Sequence, residues 1–127
     1  MARILIVDDE EGILTILNTV LSAEGYEVVS SLGGEKAQGF LNSDEEFDLM
    51  ISDIRMDSVN GMDLLKLACD KRPGLPVIML TAYGQVETAI ESLQLGAFDY
   101  VKKPFKVDEL ITTVQKAIAS RNYTENE

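Results

Sequence analysis

Five short stretches rich in β-branched, aliphatic and aromatic residues predict the strands of a sheet. They are Ile4–Val7, Tyr26–Val29, Phe47–Arg55, Val77–Leu80 and Phe98–Val101. Leu49, Met50 and Ile51 form an uninterrupted apolar run within the third stretch. Such a run is typical of a strand that is buried on both faces.

Between these stretches, apolar residues recur at the three- and four-residue spacing of amphipathic helices. The predicted helices run from Ile13 to Leu21 before Gly25, around Ala37–Leu41, from Met62 to Lys71, from Val86 to Leu93, and from Val107 to Ile118. Gly39 weakens the second helix by about 1 kcal/mol relative to alanine. Gly96 is placed to end the fourth helix in a left-handed conformation.

The alternation of five strands and five helices predicts an α/β fold, a doubly wound parallel sheet covered on both faces. The chain has 127 residues, which is enough for one domain. We expect that domain to span residues 1–120, and residues 121–127 to be a polar tail or the start of a linker.

The charge balance and the termini narrow the classes of function. Eleven basic residues face 22 acidic ones, a net charge of −11 that repels nucleic-acid phosphates. Cys69 is the single cysteine, so no disulfide forms within the chain and a reducing compartment such as the cytoplasm is expected. No segment approaches the roughly 18 apolar residues of a membrane span, and MARILIVDDE fits no signal peptide.

Polar side chains follow four of the predicted strands. Asp8 and Asp9 follow the first, Asp53 ends the third, Thr81 follows the fourth and Lys103 follows the fifth. Because the carboxyl ends of parallel strands meet at one edge, these groups are expected to converge there.

Three converging carboxylates repel each other and favour a hard divalent cation such as Mg²⁺. Beside such an ion, Asp53 can act as a nucleophile toward phosphorus and form an acyl phosphate. Lys103 would neutralise a phosphoryl oxygen, and the Thr81 hydroxyl would donate a hydrogen bond to another. The chain has no histidine, so the phosphoryl donor has to come from outside.

Simpler structural roles exist for the same side chains. Asp8 and Asp9 could cap the following helix, with Glu10 and Glu11 favoured by its dipole. Asp53 could start a turn, and Thr81 could cap a helix.

Over essentially its whole length the chain resembles the receiver domains of two-component response regulators. The resemblance rests on ILIVDDE, DLMISDIRM followed by NG, VIMLTAYG and GAFDYVKKPF, which occur in the family's order and spacing. It implies a flavodoxin-like sheet in the strand order 2-1-3-4-5 and Mg²⁺ or Mn²⁺ as the cofactor. One departure is Asp57, where many members have proline.

The resemblance also assigns roles to residues. It implies that Asp53 is the phosphoacceptor, that Asp9 binds the metal directly and that Asp8 acts mainly through water. The backbone carbonyl of Arg55 would complete the metal site. Thr81 and Lys103 would hold the phosphoryl group, with Thr81 and Tyr100 as switch residues, although Tyr100 is also a plausible core aromatic. Arg55 and Tyr83 flank the rim and are expected to tune the access of water.

The stretch from Thr81 to Phe105 is similar to the receivers of NtrC-type activators, which control an ATPase domain and a DNA-binding domain. It implies a switch rather than an enzyme, with a sensor histidine kinase or phosphotransfer protein as the donor and an output domain that acts in transcription as the target. It also allows a homodimer through the face of helix 4, strand 5 and helix 5. The domain itself is expected to bind no nucleic acid and no membrane.

Three other classes of protein share parts of this pattern. An aspartyl phosphatase would need a second aspartate two residues after Asp53, where this chain has Arg55. A nucleotide-binding fold would need a glycine-rich loop after the first strand, where this chain is acidic. A phosphorylation-independent interaction module remains compatible with the fold, but it would not need the intact set of polar groups.

Overall fold

The computed structural model describes residues 1–57, 59–82 and 84–126, with side chains described as far as Arg121. In these residues five strands alternate with five helices, as the sequence predicted. They are β1 (Arg3–Asp8), α1 (Glu11–Ala23), β2 (Glu27–Leu32), α2 (Gly34–Leu41), β3 (Leu49–Asp53), α3 (Gly61–Lys71), β4 (Val77–Thr81), α4 (Val86–Gln94), β5 (Asp99–Lys102) and α5 (Val107–Asn126). None of the described helices is both long and apolar enough to cross a bilayer.

The strands form one parallel sheet in the order β2-β1-β3-β4-β5, which confirms the predicted doubly wound fold. The order reverses direction between β1 and β3, because the chain first builds outward to β2 and then returns to the other side of β1. Val7 lies opposite Ser52, and Asp53 lies opposite Leu80. The carboxyl ends of β1, β3 and β4 are therefore neighbours at the place where such sheets put their sites.

Alternate residues of the central strands enter two separate cores. One core lies under α1 and α5, and its strand residues are Ile4, Ile6, Leu49, Ile51, Ile78, Leu80 and Val101. The other lies under α2, α3 and α4, and its strand residues are Leu5, Val7, Met50, Val77 and Met79. Since both faces of the sheet are covered, the central strands read as continuous apolar runs.

The predicted boundaries differ from the structure at several elements; β3, for example, spans Leu49–Asp53 and not the predicted Phe47–Arg55. β2 extends to Leu32, beyond the predicted Val29. The strand can include the buried Ser31 because the hydroxyl of Ser31 donates a hydrogen bond to the Gly33 carbonyl (2.8 Å). β5 begins one residue later than predicted. Gly96 follows the end of α4 with a φ of +113°, as expected.

The last helix continues through the polar residues that were predicted to be a tail. α5 runs to Asn126, although its apolar stripe ends at Ile118. An Arg121 Nη donates to the Phe47 carbonyl (2.7 Å), and its Nε lies 3.7 Å from an Asp48 carboxylate oxygen. These contacts fix the helix against the start of β3. The expectation that residue 121 begins a linker stays a prediction.

Arg72 joins the ends of two helices at the opposite edge of the sheet from the candidate site. Its guanidinium donates to the carbonyl oxygens of Phe40 (3.1 Å) and Leu41 (3.2 Å) in the last turn of α2 and to that of Ser43 (2.8 Å) just beyond it. It also lies 5.9 Å from the centroid of the Phe47 ring. Arg72 therefore supplies a charged donor to carbonyl groups at the end of α2, of which that of Phe40 also accepts from Ser43.

We expect Arg72→Ala to lower the free energy of unfolding by about 1 to 3 kcal/mol, because three carbonyl groups lose a charged donor. Urea denaturation measures the change. Lys66→Ala, on the exposed face of α3, is the control and should change stability by less than about 0.5 kcal/mol. Equal denaturation midpoints for the two variants would contradict the role given to Arg72.

Candidate functional site

Asp8, Asp53 and Lys103 meet at the carboxyl edge of the sheet. The Lys103 ammonium lies 3.1 Å from an Asp8 carboxylate oxygen and 3.3 Å from an Asp53 carboxylate oxygen. The Lys103 amide donates to the Thr81 carbonyl (2.7 Å), which fixes the lysine just beyond β4. The structure thus brings together groups that are up to 95 residues apart in sequence.

Both acidic side chains in this contact are shielded from solvent. Asp8 is fully buried and Asp53 is 5% exposed, although both are carboxylates. Two buried acids beside each other are costly unless a cation compensates them. Lys103 supplies one positive charge for two negative charges, which leaves the cluster with a net negative charge.

This imbalance shifts the pKa of Asp53. Burial, followed by repulsion from Asp8, raises the pKa of Asp53 from its ordinary 3.8 to about 6, although Lys103 acts in the opposite direction. Burial alone would lower the pKa of Lys103, but its hydrogen bond to Asp8 and the charge of Asp53 raise it above the ordinary value. A carboxylate so perturbed in a cluster of charges is a candidate for function.

A second acidic group lies at the start of α1. Carboxylate oxygens of Asp8, Asp9 and Glu10 lie within 4.8 Å of one another. Burial and the charges of Asp8 and Asp57 raise the pKa of Asp9. The Glu10 amide donates to an Asp8 carboxylate oxygen (3.0 Å), and this bond orients the Asp8 side chain. Asp57 therefore adds negative potential at the rim.

The helix-capping alternative describes this arrangement only in part, since Asp8 accepts a hydrogen bond from the Glu10 amide but is not the N-cap residue. The N-cap residue of α1 is Glu10, and its side chain makes no capping hydrogen bond among the described residues. Sequence reasoning did not place Glu10 among the candidate ligands, although its position beside Asp9 was a sufficient signal.

The donor set fits a small, hard divalent cation. It consists of carboxylate oxygens with excess negative charge, which suits Mg²⁺ or Mn²⁺ better than a metal that prefers nitrogen or sulfur. Asp8, Asp9 and Asp53 are the residues that would hold it, together with the backbone carbonyl of Arg55 and with Glu10 nearby. Arg55 is an exposed residue of the loop after β3. The individual ligand roles stay predictions.

Thr81 and Tyr100 lie on the same side of the sheet. Tyr100 is opposite Met79, and Thr81 is opposite Lys102, so both face the core under α2, α3 and α4. Thr81 is 1% exposed, and its hydroxyl lies 3.4 Å from the Ala82 carbonyl oxygen. Tyr100 is half-buried, a position that is compatible both with a place in the core and with the predicted switch role. Tyr83 lies outside the described residues.

Two supporting contacts were not expected from the sequence. The Gln85 side-chain oxygen accepts a hydrogen bond from the Ala82 amide (2.8 Å), which holds the loop after Thr81. The Gly61 amide donates to the Ile54 carbonyl (2.7 Å), and a Cβ at Gly61 would overlap the Asp53 carbonyl oxygen. The sequence shows the pair Asn60–Gly61 at the start of α3, but it does not reveal how closely the backbone there returns to Asp53.

Comparison with known proteins gives consistent matches. Residues 4–115 match the family model described as the response regulator receiver domain. The chain is 44% identical over 116 residues to the regulatory protein AtoC of Escherichia coli K12, covering 91% of this chain and 25% of AtoC. It is 41% identical over 118 residues to the response regulator SaeR of Staphylococcus aureus NCTC 8325, covering 93% of this chain and 51% of SaeR.

Solved structures agree with this result. A response regulator receiver domain protein from Clostridium thermocellum superimposes with a TM-score of 0.91 at 31% identity, covering 98% of this chain and 99% of that one. NtrX from Brucella abortus superimposes with a TM-score of 0.92 at 33% identity, covering 98% of this chain and 28% of NtrX. The chain therefore spans about a quarter to a half of the curated relatives reported above.

We expect Asp53→Asn to raise the melting temperature of the metal-free protein at pH 8 by about 5 °C, because it removes a buried charge that repels Asp8. The pKa of Asp53 is higher in the folded protein than in the unfolded chain. Its contribution to stability is therefore fully present below about pH 4 and is lost as the pH rises through about 6.

Thermal unfolding in a chelator, from pH 4 to pH 8, measures this dependence. The difference between Asp53→Asn and wild type should be small at pH 4 and should grow through pH 6. Asp44→Asn, at an exposed position, is the control and should show no such growth. A difference that is constant with pH would show that the Asp53 carboxyl is not perturbed by its neighbours.

Proposed function

Because the chain belongs to the family of response regulator receiver domains, we propose that it is a phosphorylation-dependent switch with Asp53 as the phosphoacceptor. The observation that carries this proposal is the contact of Lys103 with both Asp8 and Asp53. It supports a site in which a nucleophilic carboxylate, an acidic metal-binding pair and an ammonium group act on one phosphoryl group.

The proposed donor is a phosphohistidine on a sensor histidine kinase or a phosphotransfer protein. An Asp53 carboxylate oxygen attacks the phosphorus atom and forms an O–P bond. The P–N bond breaks, and the imidazole nitrogen leaves with its electron pair. Water later attacks the phosphorus of the acyl phosphate, which returns the Asp53 carboxylate and releases inorganic phosphate.

The residues around Asp53 divide this work. Asp8 and Asp9, with Asp53 and the Arg55 carbonyl, would hold Mg²⁺ or Mn²⁺, which neutralises charge on the phosphoryl oxygens when bound. Lys103 stabilises a phosphoryl oxygen on the other side, as its ammonium already faces the Asp53 carboxylate. The Thr81 hydroxyl donates to a third oxygen. Such a site promotes its own phosphorylation and dephosphorylation, and its product is a switched state rather than a released metabolite.

We attribute the switch to Thr81 and Tyr100. When Thr81 moves toward the phosphoryl group, Tyr100 fills the space that it leaves on the same side of the sheet. The surface that changes is the face of α4, β5 and α5. This face includes the exposed apolar residues Val86, Ile90, Leu93 and Phe98 at or near α4. A shift from 1:99 to 99:1 between two states would require about 5.5 kcal/mol of differential stabilisation.

That face is also the proposed contact with an output domain or with a second copy of the chain. The relatives' greater length supports control of an output domain that acts in transcription, and the similarity to AtoC and NtrX agrees with the NtrC-type resemblance. The cytoplasm is the proposed compartment. The acidic surface supports the proposal that the domain itself binds no nucleic acid.

The rival classes make different predictions for a small phosphodonor. A phosphatase would turn over its substrate many times, and an interaction module that does not use phosphorylation would not be labelled. An aspartyl phosphatase would have its general acid two residues after the nucleophile, and this chain has the exposed Arg55 there. The family match supports the phosphorylated switch, which accounts for all of the converging side chains.

We expect acetyl phosphate with Mg²⁺ to add one phosphoryl group to the wild-type protein, because Asp53 provides one nucleophilic carboxylate. Intact-mass measurement shows the gain. Asp53→Asn should gain none, and Asp48→Asn, at the start of β3 far from the site, should be labelled like wild type. Equal labelling of Asp53→Asn would refute the assignment of the phosphoacceptor.

We expect Lys103→Ala to retain Mg²⁺ affinity, because the acidic ligands remain and a competing cation is removed. The phosphorylated variant should show smaller chemical-shift changes at Tyr100 and along α4 than wild type. Lys102→Ala, at an exposed neighbouring position, is the matched control and should switch normally. Loss of metal affinity in Lys103→Ala would show that the lysine instead organises the metal ligands.

A further inference from the structure

The turn between β2 and α2 contains two adjacent glycines that contact the candidate site from outside it. Gly33 has a φ of +88°, a conformation that favours glycine. Its amide donates to the Asp8 carbonyl (2.8 Å), and its carbonyl accepts from the buried Ser31 hydroxyl (2.8 Å). The turn is therefore fastened to the end of β1, where the acidic residues begin.

Gly34 contacts the loop that follows Asp53. It is the first residue of α2 and is buried. A Cβ on Gly34 would overlap the Val59 carbonyl oxygen and would lie 2.8 Å from the Val59 Cβ. Val59 belongs to the loop between β3 and α3, which also carries Arg55. Since backbone atoms form most of this contact, a side chain at position 34 could be accommodated only if the helix and the loop moved apart.

The same loop is held at its other end by Gly61. The Gly61 amide donates to the Ile54 carbonyl (2.7 Å), and its missing side chain leaves room for the Asp53 backbone. The loop that follows Asp53 thus contacts the end of β3 through Gly61 and the start of α2 through Val59. Its position relative to Asp8 depends on the Gly33–Gly34 turn, which contacts both.

We propose that Gly34 is a positioning residue for the metal and phosphoacceptor site. By allowing α2 to lie directly on Val59, it sets the distance between the acidic residues after β1 and the loop that carries Arg55 and follows Asp53. The inference rests on the proposed function, because it assumes that these two segments bind one metal ion. An alanine at position 34 displaces the loop and separates the two halves of the site.

The test compares Gly34→Ala with Gly39→Ala in the same chain. Gly39 lies in the same helix, is exposed, and has no described atom within 4 Å of where its Cβ would be. Mg²⁺ affinity is measured by calorimetric titration, the rate of Asp53 labelling by acetyl phosphate is measured by intact mass, and thermal unfolding is followed without metal. We expect Gly34→Ala to bind Mg²⁺ about 10-fold more weakly than wild type and to label more slowly, with Gly39→Ala unchanged.

Val59→Ala provides a second arm that introduces no steric overlap. It removes side-chain atoms on the loop side of the contact and should weaken Mg²⁺ binding about threefold in a protein that still melts cooperatively. If Gly34→Ala does not fold, the Mg²⁺ affinity of Val59→Ala tests the proposal in its place. The proposal is overturned if the folded Gly34→Ala protein, or Val59→Ala in its place, binds Mg²⁺ with the affinity of Gly39→Ala.

Failure of the proposed function would look different. If wild type binds Mg²⁺ but is not labelled at Asp53, the phosphoacceptor assignment is lost, and the metal affinities of the variants still judge the role of Gly34. If wild type is labelled and the variants are indistinguishable from Gly39→Ala in both measurements, only the positioning role is lost.

Discussion

The ammonium group of Lys103 holds two buried carboxylates together at the edge of the sheet. Asp8 and Asp53 end neighbouring strands, so the fold itself brings their negative charges into proximity. One lysine compensates them only in part, as the raised pKa of Asp53 shows. The cluster is therefore left with uncompensated negative charge, and this charge would favour the binding of a further cation. Stability and the proposed function oppose each other at this edge.

The fold could be predicted from the sequence because its signals are local and repeated. Apolar runs such as Val77–Leu80 indicate buried parallel strands, and the helical spacing between runs leaves few other architectures. The convergence of Asp8, Asp53 and Lys103 followed from the general rule that parallel strands end at one edge. Their charges then restricted the chemistry, and the family motifs assigned roles that the pattern alone left open.

The parts that could not be predicted depend on contacts between distant segments. Hydrophobic spacing ends at Ile118, but Arg121 binds the Phe47 carbonyl and α5 continues through polar residues. The serines of β2 look like the start of a loop until the Ser31 hydroxyl is seen to be bonded within the turn. Gly34 is an ordinary residue at the start of a helix in the sequence. Its close approach to Val59 exists only in three dimensions.

The two cores differ in a way that bears on how a signal can cross the domain. Of the five methionines in the chain, Met50, Met56 and Met79 are buried in the core under α2, α3 and α4, and Met62 packs against it. The described residues of the core under α1 and α5 include none. Methionine is unbranched and adapts to irregular spaces at low cost, whereas branched aliphatic side chains do not.

Thr81 and Tyr100 face the methionine-containing side. The core that Thr81 and Tyr100 face therefore contains the more adaptable side chains, which would accommodate the proposed movement of Tyr100. Under the proposed switch, a rearrangement that begins at Asp53 would be passed on through the methionine-containing core toward α4.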